Sequence, residues 1–133
     1  MAVNESRPFF YPADAVTCKA EANLSGRRFV VAKGRAVIDG IRANLIVNYP
    51  AAGGRASGVT GYDVSANAMV TVWRGHGVYE VESGAAITAG DPVKVDATGR
   101  VIPQGGTGLV VGIALDPAAG AGEAIAVDCN VYG

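Results

Sequence analysis

The stretch AVIDGIRANLIVNY, residues 36–49, decides the fold class most directly, because it joins two runs of β-forming residues through a tight turn. Residues 36–38 and 41–49 are rich in aliphatic side chains, and Asp39-Gly40 separates them. Asp-Gly accepts the positive φ angles of a type I′ turn, which suits a two-residue β-hairpin. The sequence therefore predicts a hairpin here, and Pro50 ends it.

The residues before this hairpin also have the pattern of strands. VTCKAEAN, residues 16–23, alternates apolar and polar side chains, which places Cys18 and Ala20 on one face and Lys19 on the other. Residues 28–33 predict another strand. The chain contains 19 Val and 7 Ile but only 4 Leu, and β-branched side chains favour sheets over helices.

The residues after the hairpin continue the β pattern. Residues 68–74 and 78–82 flank Gly75-His76-Gly77 and predict a second hairpin, with Trp73 and Tyr79 near its turn. Three more short strands are expected around residues 93–95, 109–115 and 124–131. Turn signals recur about every ten residues, as in small sandwiches and barrels. We therefore predict an all-β, single-domain protein.

The domain organisation follows from length and local composition. A chain of 133 residues suits one domain, which we place at residues 14–133. Within it, AAGGRASGVTG at residues 51–61 contains few large side chains and predicts a mobile surface loop. Residues 1–13 are expected to form an extended N-terminal arm.

The arm is the predicted contact site. Its residues Pro8, Phe9, Phe10, Tyr11 and Pro12 place three consecutive aromatic side chains between two prolines, which cannot donate to a strand ladder. Contiguous apolar residues of this kind are usually covered. The arm either folds back onto its own barrel or adds as an edge strand to a neighbouring subunit. Deletion of residues 2–12 is expected to leave a folded domain that has lost its binding.

Charge and hydropathy exclude several classes of partner. With 11 basic and 12 acidic side chains, the net charge is −1, so no basic surface is expected to neutralise the phosphates of a nucleic acid. No apolar run is long enough to span a membrane, and the N-terminus does not have the pattern of a signal peptide. We therefore expect neither nucleic acid nor membrane as a partner, and synthesis in a cytoplasm.

The sequence offers little material for catalysis. His76 is the one histidine, and between two glycines it has the pattern of an exposed turn residue. As a catalytic base it would need a nucleophile such as Ser65 or Ser83 within hydrogen-bond reach. We predict that the protein is not an enzyme.

The remaining polar and sulfur-containing residues predict structural roles. The carboxylates of Asp91, Asp96, Asp116 and Asp128 lie in or beside turns, where such side chains cap their own backbone. Cys18 and Cys129 are too few for a disulfide framework or a zinc site, and each alternates in phase with apolar neighbours. We expect no metal and no cofactor.

An alternative function is carbohydrate or small-ligand binding. Trp73, Tyr79 and Tyr62 would then form a platform on which a sugar stacks.

Longer segments resemble a known family. VYEVESGAAITAGDPVKVDATGRVIP (78–103), VVGIALDPAAGAGEAIAVDCN (110–130) and EANLSGRRFVVAKG (21–34) are similar to the capsid decoration, or cement, proteins of tailed bacteriophages. The resemblance implies a barrel or β-tulip-like fold, assembly as homotrimers, and binding to the expanded shell of the major capsid protein. It also implies a place on the exterior of the virion capsid after assembly in the bacterial host cytoplasm. A ligand of this kind stabilises the shell because it binds the assembled form and not the free subunits.

Overall fold

The computed structural model describes residues 4–9, 14–74 and 76–130, and within these ranges the chain forms strands and no helix. Accordingly, the described residues include no helix long and apolar enough to cross a membrane. The first five strands are β1 (Asp14–Ala20), β2 (Phe29–Ile38), β3 (Ile41–Asn48), β4 (Gly58–Thr60) and β5 (Met69–Arg74). The next five are β6 (His76–Glu82), β7 (Pro92–Val95), β8 (Val101–Pro103), β9 (Gly112–Ala114) and β10 (Ala124–Asn130). The prediction of an all-β fold is confirmed.

The first five strands close into a small barrel in the order β1-β3-β2-β4-β5, and β5 pairs with β1 to complete it. One cluster of buried side chains belongs to these strands and to the turn after β1, namely Cys18, Ala20, Leu24, Val30, Val47, Val70 and Val72. The alternation predicted for residues 16–23 holds as far as Ala20, where β1 ends. The N-terminal half of the chain therefore has a core of its own.

The last five strands form a second sheet in the order β6-β10-β9-β7-β8. One face of this sheet packs against the outside of the barrel, where Phe29 of β2 pairs with Val59 of β4. The sheet contributes Tyr79, Val81, Val93, Val95, Ile125 and Val127 to that shared core. The opposite face of the sheet points away from the barrel.

Ion pairs join the barrel to the second sheet beside this core. Glu82 of β6 contacts the guanidinium groups of both Arg28 and Arg100, and the Arg28 nitrogen lies 3.1 Å from the carboxylate. Arg27 and Glu80 form a neighbouring pair at 2.9 Å. These side chains fix the sheet's position because the arginines at 27 and 28 directly precede β2.

The hairpin of residues 36–49 is confirmed. Asp39 and Gly40 have φ angles of 51° and 78°, as a type I′ turn requires. β2 and β3 pair in antiparallel register from this turn into the barrel, with irregularities between Ala32 and Val37. Residues 28–33 and 36–38, predicted as separate strands, therefore belong to one bulged strand.

The second predicted hairpin is wrong. β5 pairs with β1 and β4 inside the barrel, whereas β6 pairs with β10 in the other sheet. The chain passes from the barrel to the second sheet between Arg74 and His76. β5 pairs with β1 over six residues, and β6 pairs with β10 over seven. These two ladders outweigh the turn tendency of the glycines at 75 and 77, because each ladder adds backbone hydrogen bonds and buried side chains.

The loop predicted at residues 51–61 is wrong for residues 58–60. These form β4, which is completely buried between β2 and β5. A Cβ at Gly58 would lie 2.5 Å from the Trp73 carbonyl oxygen, so the glycine serves close strand packing and not chain flexibility. Two further details differ from the prediction: β8 was not predicted, and β9 is shorter than residues 109–115.

Candidate functional site

The N-terminal residues 4–9 lie along the junction between the barrel and the second sheet. Ser6 is buried, its amide donates to the Gly61 carbonyl at 2.8 Å, and its hydroxyl donates to the Glu80 carbonyl at 2.8 Å. The Trp73 indole nitrogen donates to the Ser6 carbonyl at 2.7 Å. Of the two arrangements considered for the arm, its described part therefore folds back onto its own domain.

Pro8 and Phe9 extend the second sheet at its β6 edge. Pro8 forms an antiparallel bridge with Tyr79, and the Phe9 amide donates to the Val78 carbonyl at 2.9 Å. Pro8 is buried, whereas 51% of Phe9 is exposed. The other predicted contact residues, Phe10, Tyr11 and Pro12, lie outside the described residues.

Phe9 begins a row of side chains that crosses the outer face of the second sheet. Directly paired residues of neighbouring strands share a face, and the registers place Val78, Asp128, Ile113 and Pro92 side by side on β6, β10, β9 and β7. Phe9 joins this face because its neighbour Pro8 pairs with the inward-facing Tyr79. We call these five residues the outer row, which spans roughly 19 Å at the usual strand spacing.

The outer row is largely apolar and accessible. Ile113 is 39% exposed, and Leu115, the next outward residue after it, is also exposed. Asp128 is the only charged member. The sequence already contained a signal for this surface, because VGIAL at residues 111–115 alternates, but the partners of Ile113 became evident only from the strand order.

A second accessible apolar region is the end of the β2–β3 hairpin. β4 pairs with β2 only at Phe29 and Val30, and β1 pairs with β3 only at Ile46 and Val47. Residues 33–42 consequently extend past the flanking strands as a two-stranded ribbon. The ribbon carries three large aliphatic side chains with exposed fractions of 64%, 59% and 71%, namely Val37, Ile38 and Ile41.

The proposed sugar platform is not formed. Tyr79 is completely buried, and its ring stacks on that of Trp73 with centroids 6.5 Å apart. Trp73 is partly buried, and Ser6 accepts its indole hydrogen bond. The Tyr62 hydroxyl accepts a hydrogen bond from the Thr71 amide at 3.3 Å. Tyr79 and Trp73 therefore pack at the junction between barrel and sheet, whereas Tyr62 packs against the cluster inside the barrel, and the three rings do not form one exposed platform.

The proposed serine partners of His76 do not lie beside it. His76 begins β6 and is exposed, whereas Ser83 follows the end of that strand, roughly 23 Å away for seven extended residues. Ser83 is buried and donates to the Gly120 carbonyl at 2.7 Å. Ser65 precedes β5 while His76 follows it, so a strand separates this pair as well.

Two of the four carboxylates cap their own turns as predicted: Asp96 accepts from the amides of Thr98 and Arg100 at 2.9 and 3.0 Å, and Asp91 accepts one amide hydrogen bond. Asp116 instead accepts from the Ala126 amide of β10, ten residues further along the chain. The prediction is wrong for Asp128, which lies within β10 because its neighbours pair with β6 and β9. No cluster of three potential metal ligands occurs in the part of the chain that the structure describes.

The two cysteines are buried, unpaired and in different places. Cys18 belongs to the cluster inside the barrel, and Cys129 belongs to the core between barrel and sheet. Burial raises the pKa of both thiols, and for Cys129 the effect is large. Both therefore act as small core residues.

Comparison with known proteins identifies a family and a similar solved structure. Residues 12–129 match the model of the family described as phage cement protein. The fold is similar to the crystal structure of the head fiber gp8.5 N base in bacteriophage phi29, with a TM-score of 0.70 and 20% sequence identity, over 90% of this chain and 95% of that chain. No curated protein matches the chain in sequence.

Proposed function

The chain belongs to the phage cement protein family and is thus a phage capsid-associated structural protein, and we propose that it decorates the capsid exterior by binding the assembled major capsid protein. In this proposal the chain assembles in the host cytoplasm, acts as a homotrimer, and stabilises the shell without catalysing a reaction. The arm residues Phe9 to Pro12 form part of the contact surface, and Pro8, which is buried beside Tyr79, holds Phe9 in place.

The outer row carries this proposal. Phe9, Val78, Ile113 and Pro92 form a largely apolar band across a face that has no covering layer among the described residues. Soluble monomers rarely leave such bands uncovered, and those that do usually bind another protein there. Phe9 connects the band to the aromatic residues predicted as the contact site.

The rigid placement of the outer row suits a repeating target. The row lies on paired strands and not on a loop, and the Ser6 hydrogen bonds hold the segment that carries Phe9. A preformed surface loses little conformational entropy on binding. Three such surfaces in one trimer reach three neighbouring shell subunits, so that modest individual affinities combine through effective concentration.

The non-enzymatic part of the proposal is supported by the placement of polar groups. His76 lies a strand length away from Ser83, and Asp91, Asp96 and Asp116 accept hydrogen bonds from backbone amides. These three carboxylates therefore form hydrogen bonds that stabilise the fold.

The test is binding of the purified chain to purified shells. We expect it to cosediment with expanded, assembled shells, to saturate at a fixed ratio to the major capsid protein, and to leave free capsid subunits unbound. It should also raise the temperature at which the shells open, since a ligand that binds only the assembled state stabilises that state. Failure to bind expanded shells, or equal affinity for free subunits, would contradict the proposal.

A further inference from the structure

The β2–β3 ribbon presents an apolar tip of defined shape. Ile38 and Ile41 are direct cross-strand partners, so their side chains lie together on one face beside the Asp39-Gly40 turn. A Cβ at Gly34 or Gly40 would meet no atom within 4 Å, so the space beside the ribbon backbone is open at both positions. Two-stranded ribbons are only marginally stable alone in water.

The same end of the barrel contains an apolar cavity of about 110 Å³. The buried side chains of Cys18, Val47 and Val72 line it, and Val16 and Leu45 are partly exposed beside them. The volume is similar to that of one aliphatic side chain. Arg74 also lines the cavity, and it pairs across the strands with the exposed Asp14.

A chain cannot fill its own cavity with its own ribbon tip. Leu45 lines the cavity, and Ile41 lies four residues earlier on the same strand, which places the two about 13 Å apart. The molecule therefore carries one apolar projection and one apolar recess that can meet only between two copies.

We propose that the ribbon tip of one copy inserts into the barrel cavity of a second copy, with Ile41 or Ile38 filling the recess. Charges of both signs flank the two surfaces, since Asp39 lies at the tip with Arg35 and Arg42 behind it, and the recess is bordered by Arg74 and its strand partner Asp14, so opposite charges are available on each side. Each copy gives one ribbon and receives one, and a rotation of a third of a turn between copies would close this contact into the proposed trimer. This inference deepens the proposed self-association and rests on it.

Cys18 allows a direct test, since its thiol lines the cavity. The full-length variant Ile41→Cys, in a Cys129→Ala background, is treated with oxidised glutathione, which accepts the two electrons and two protons released as two thiols join. We expect a disulfide between Cys18 of one copy and the introduced thiol of another, identified by mass spectrometry of the linked peptides. An intramolecular bond is excluded because disulfides require Cα atoms within about 7 Å.

Two controls define the result. The matched variant Leu109→Cys, whose site before β9 is 40% exposed and lies outside both the ribbon and the barrel strands, should give no linkage to Cys18. Adding Cys18→Ala to Ile41→Cys should abolish the product, and a product that persists would be a tip-to-tip bond that contradicts the insertion. Absence of any linkage to Cys18 at concentrations where the wild type is oligomeric overturns the proposal.

A second measurement needs no cysteine chemistry. Ile38→Asp and Ile41→Asp should weaken self-association at least about tenfold by light scattering, since each removes a buried aliphatic contact, while shell binding by the separated chains persists more weakly. A wild-type chain that is monomeric both in solution and on shells overturns the self-association together with this contact. A wild-type oligomer that these variants leave intact overturns only the contact.

Discussion

Replacing Phe9 by alanine tests the outer row with a defined magnitude. A fully buried phenylalanine removes about 200 Å² from water, and with 51% of Phe9 exposed, roughly 100 Å² is available to a partner. At about 25 cal/mol per Å², and allowing for the Cβ that alanine keeps, the lost contact is roughly 2 kcal/mol, or about thirtyfold in affinity per site. The buried half of the ring packs at the β6 edge, so we also expect a loss of folding stability of about 1–2 kcal/mol.

The assay is cosedimentation of Phe9→Ala with expanded shells at concentrations below saturation, beside urea unfolding of the same preparation. Met69→Ala is the matched control, because Met69 is 46% exposed on the barrel and belongs to neither the outer row nor the ribbon. Phe9→Ala that binds within about twofold of wild type would refute the assignment of the outer row to the shell. Deleting residues 2–12 is a poorer test, since it also removes Ser6 and its hydrogen bonds and should destabilise the fold.

Three further predictions concern the fold. Gly58→Ala should lower the free energy of unfolding by more than about 2 kcal/mol, because the new Cβ would lie 2.5 Å from a backbone oxygen. The control Gly120→Ala, whose Cβ would meet no atom within 4 Å, should stay within about 0.5 kcal/mol of wild type. Urea unfolding measures both variants. Glu82→Gln should cost roughly 2 kcal/mol by removing the charge that pairs with two guanidinium groups, and an unchanged urea midpoint would contradict that role. Burial raises the pKa of Cys129 above its ordinary value of 9.0, so the folded state keeps a proton that the unfolded state releases, and stability should fall by about 1 kcal/mol between pH 9 and pH 10. The Cys129→Ala variant should lack this part of the pH dependence, and identical slopes for the two proteins would contradict it.

The sequence predicted the local β structure well wherever short-range physics decides it. Asp39-Gly40 formed the expected turn because only residues that tolerate positive φ fit there. The alternation before Ala20 located one face of β1. The same reasoning placed the carboxylates of Asp91 and Asp96 in capping roles, since these hydrogen bonds involve backbone amides within four residues.

Predictions that depended on long-range pairing were less successful. Glycine at 75 and 77 looks like a turn signal whether β5 and β6 pair with each other or with different sheets. Residues 58–60 contain one large side chain and resemble a loop until β2 and β5 are placed on either side of them. Phe10, Tyr11 and Pro12 lie outside the described residues, so their role as contact residues stays a prediction.

The amino-acid sequence by itself determined that this chain is all-β, that the 36–49 hairpin turns at Asp39-Gly40, and that Asp91 and Asp96 cap their turns. Only the tertiary structure decided which apolar side chains are exposed together. Phe9, Val78 and Ile113 are far apart in sequence and became neighbours through the strand order β6-β10-β9, extended by the N-terminal segment. Side-chain alternation assigns each residue to one of two faces, but which strands lie side by side is set by the total burial and backbone hydrogen bonding of the whole fold.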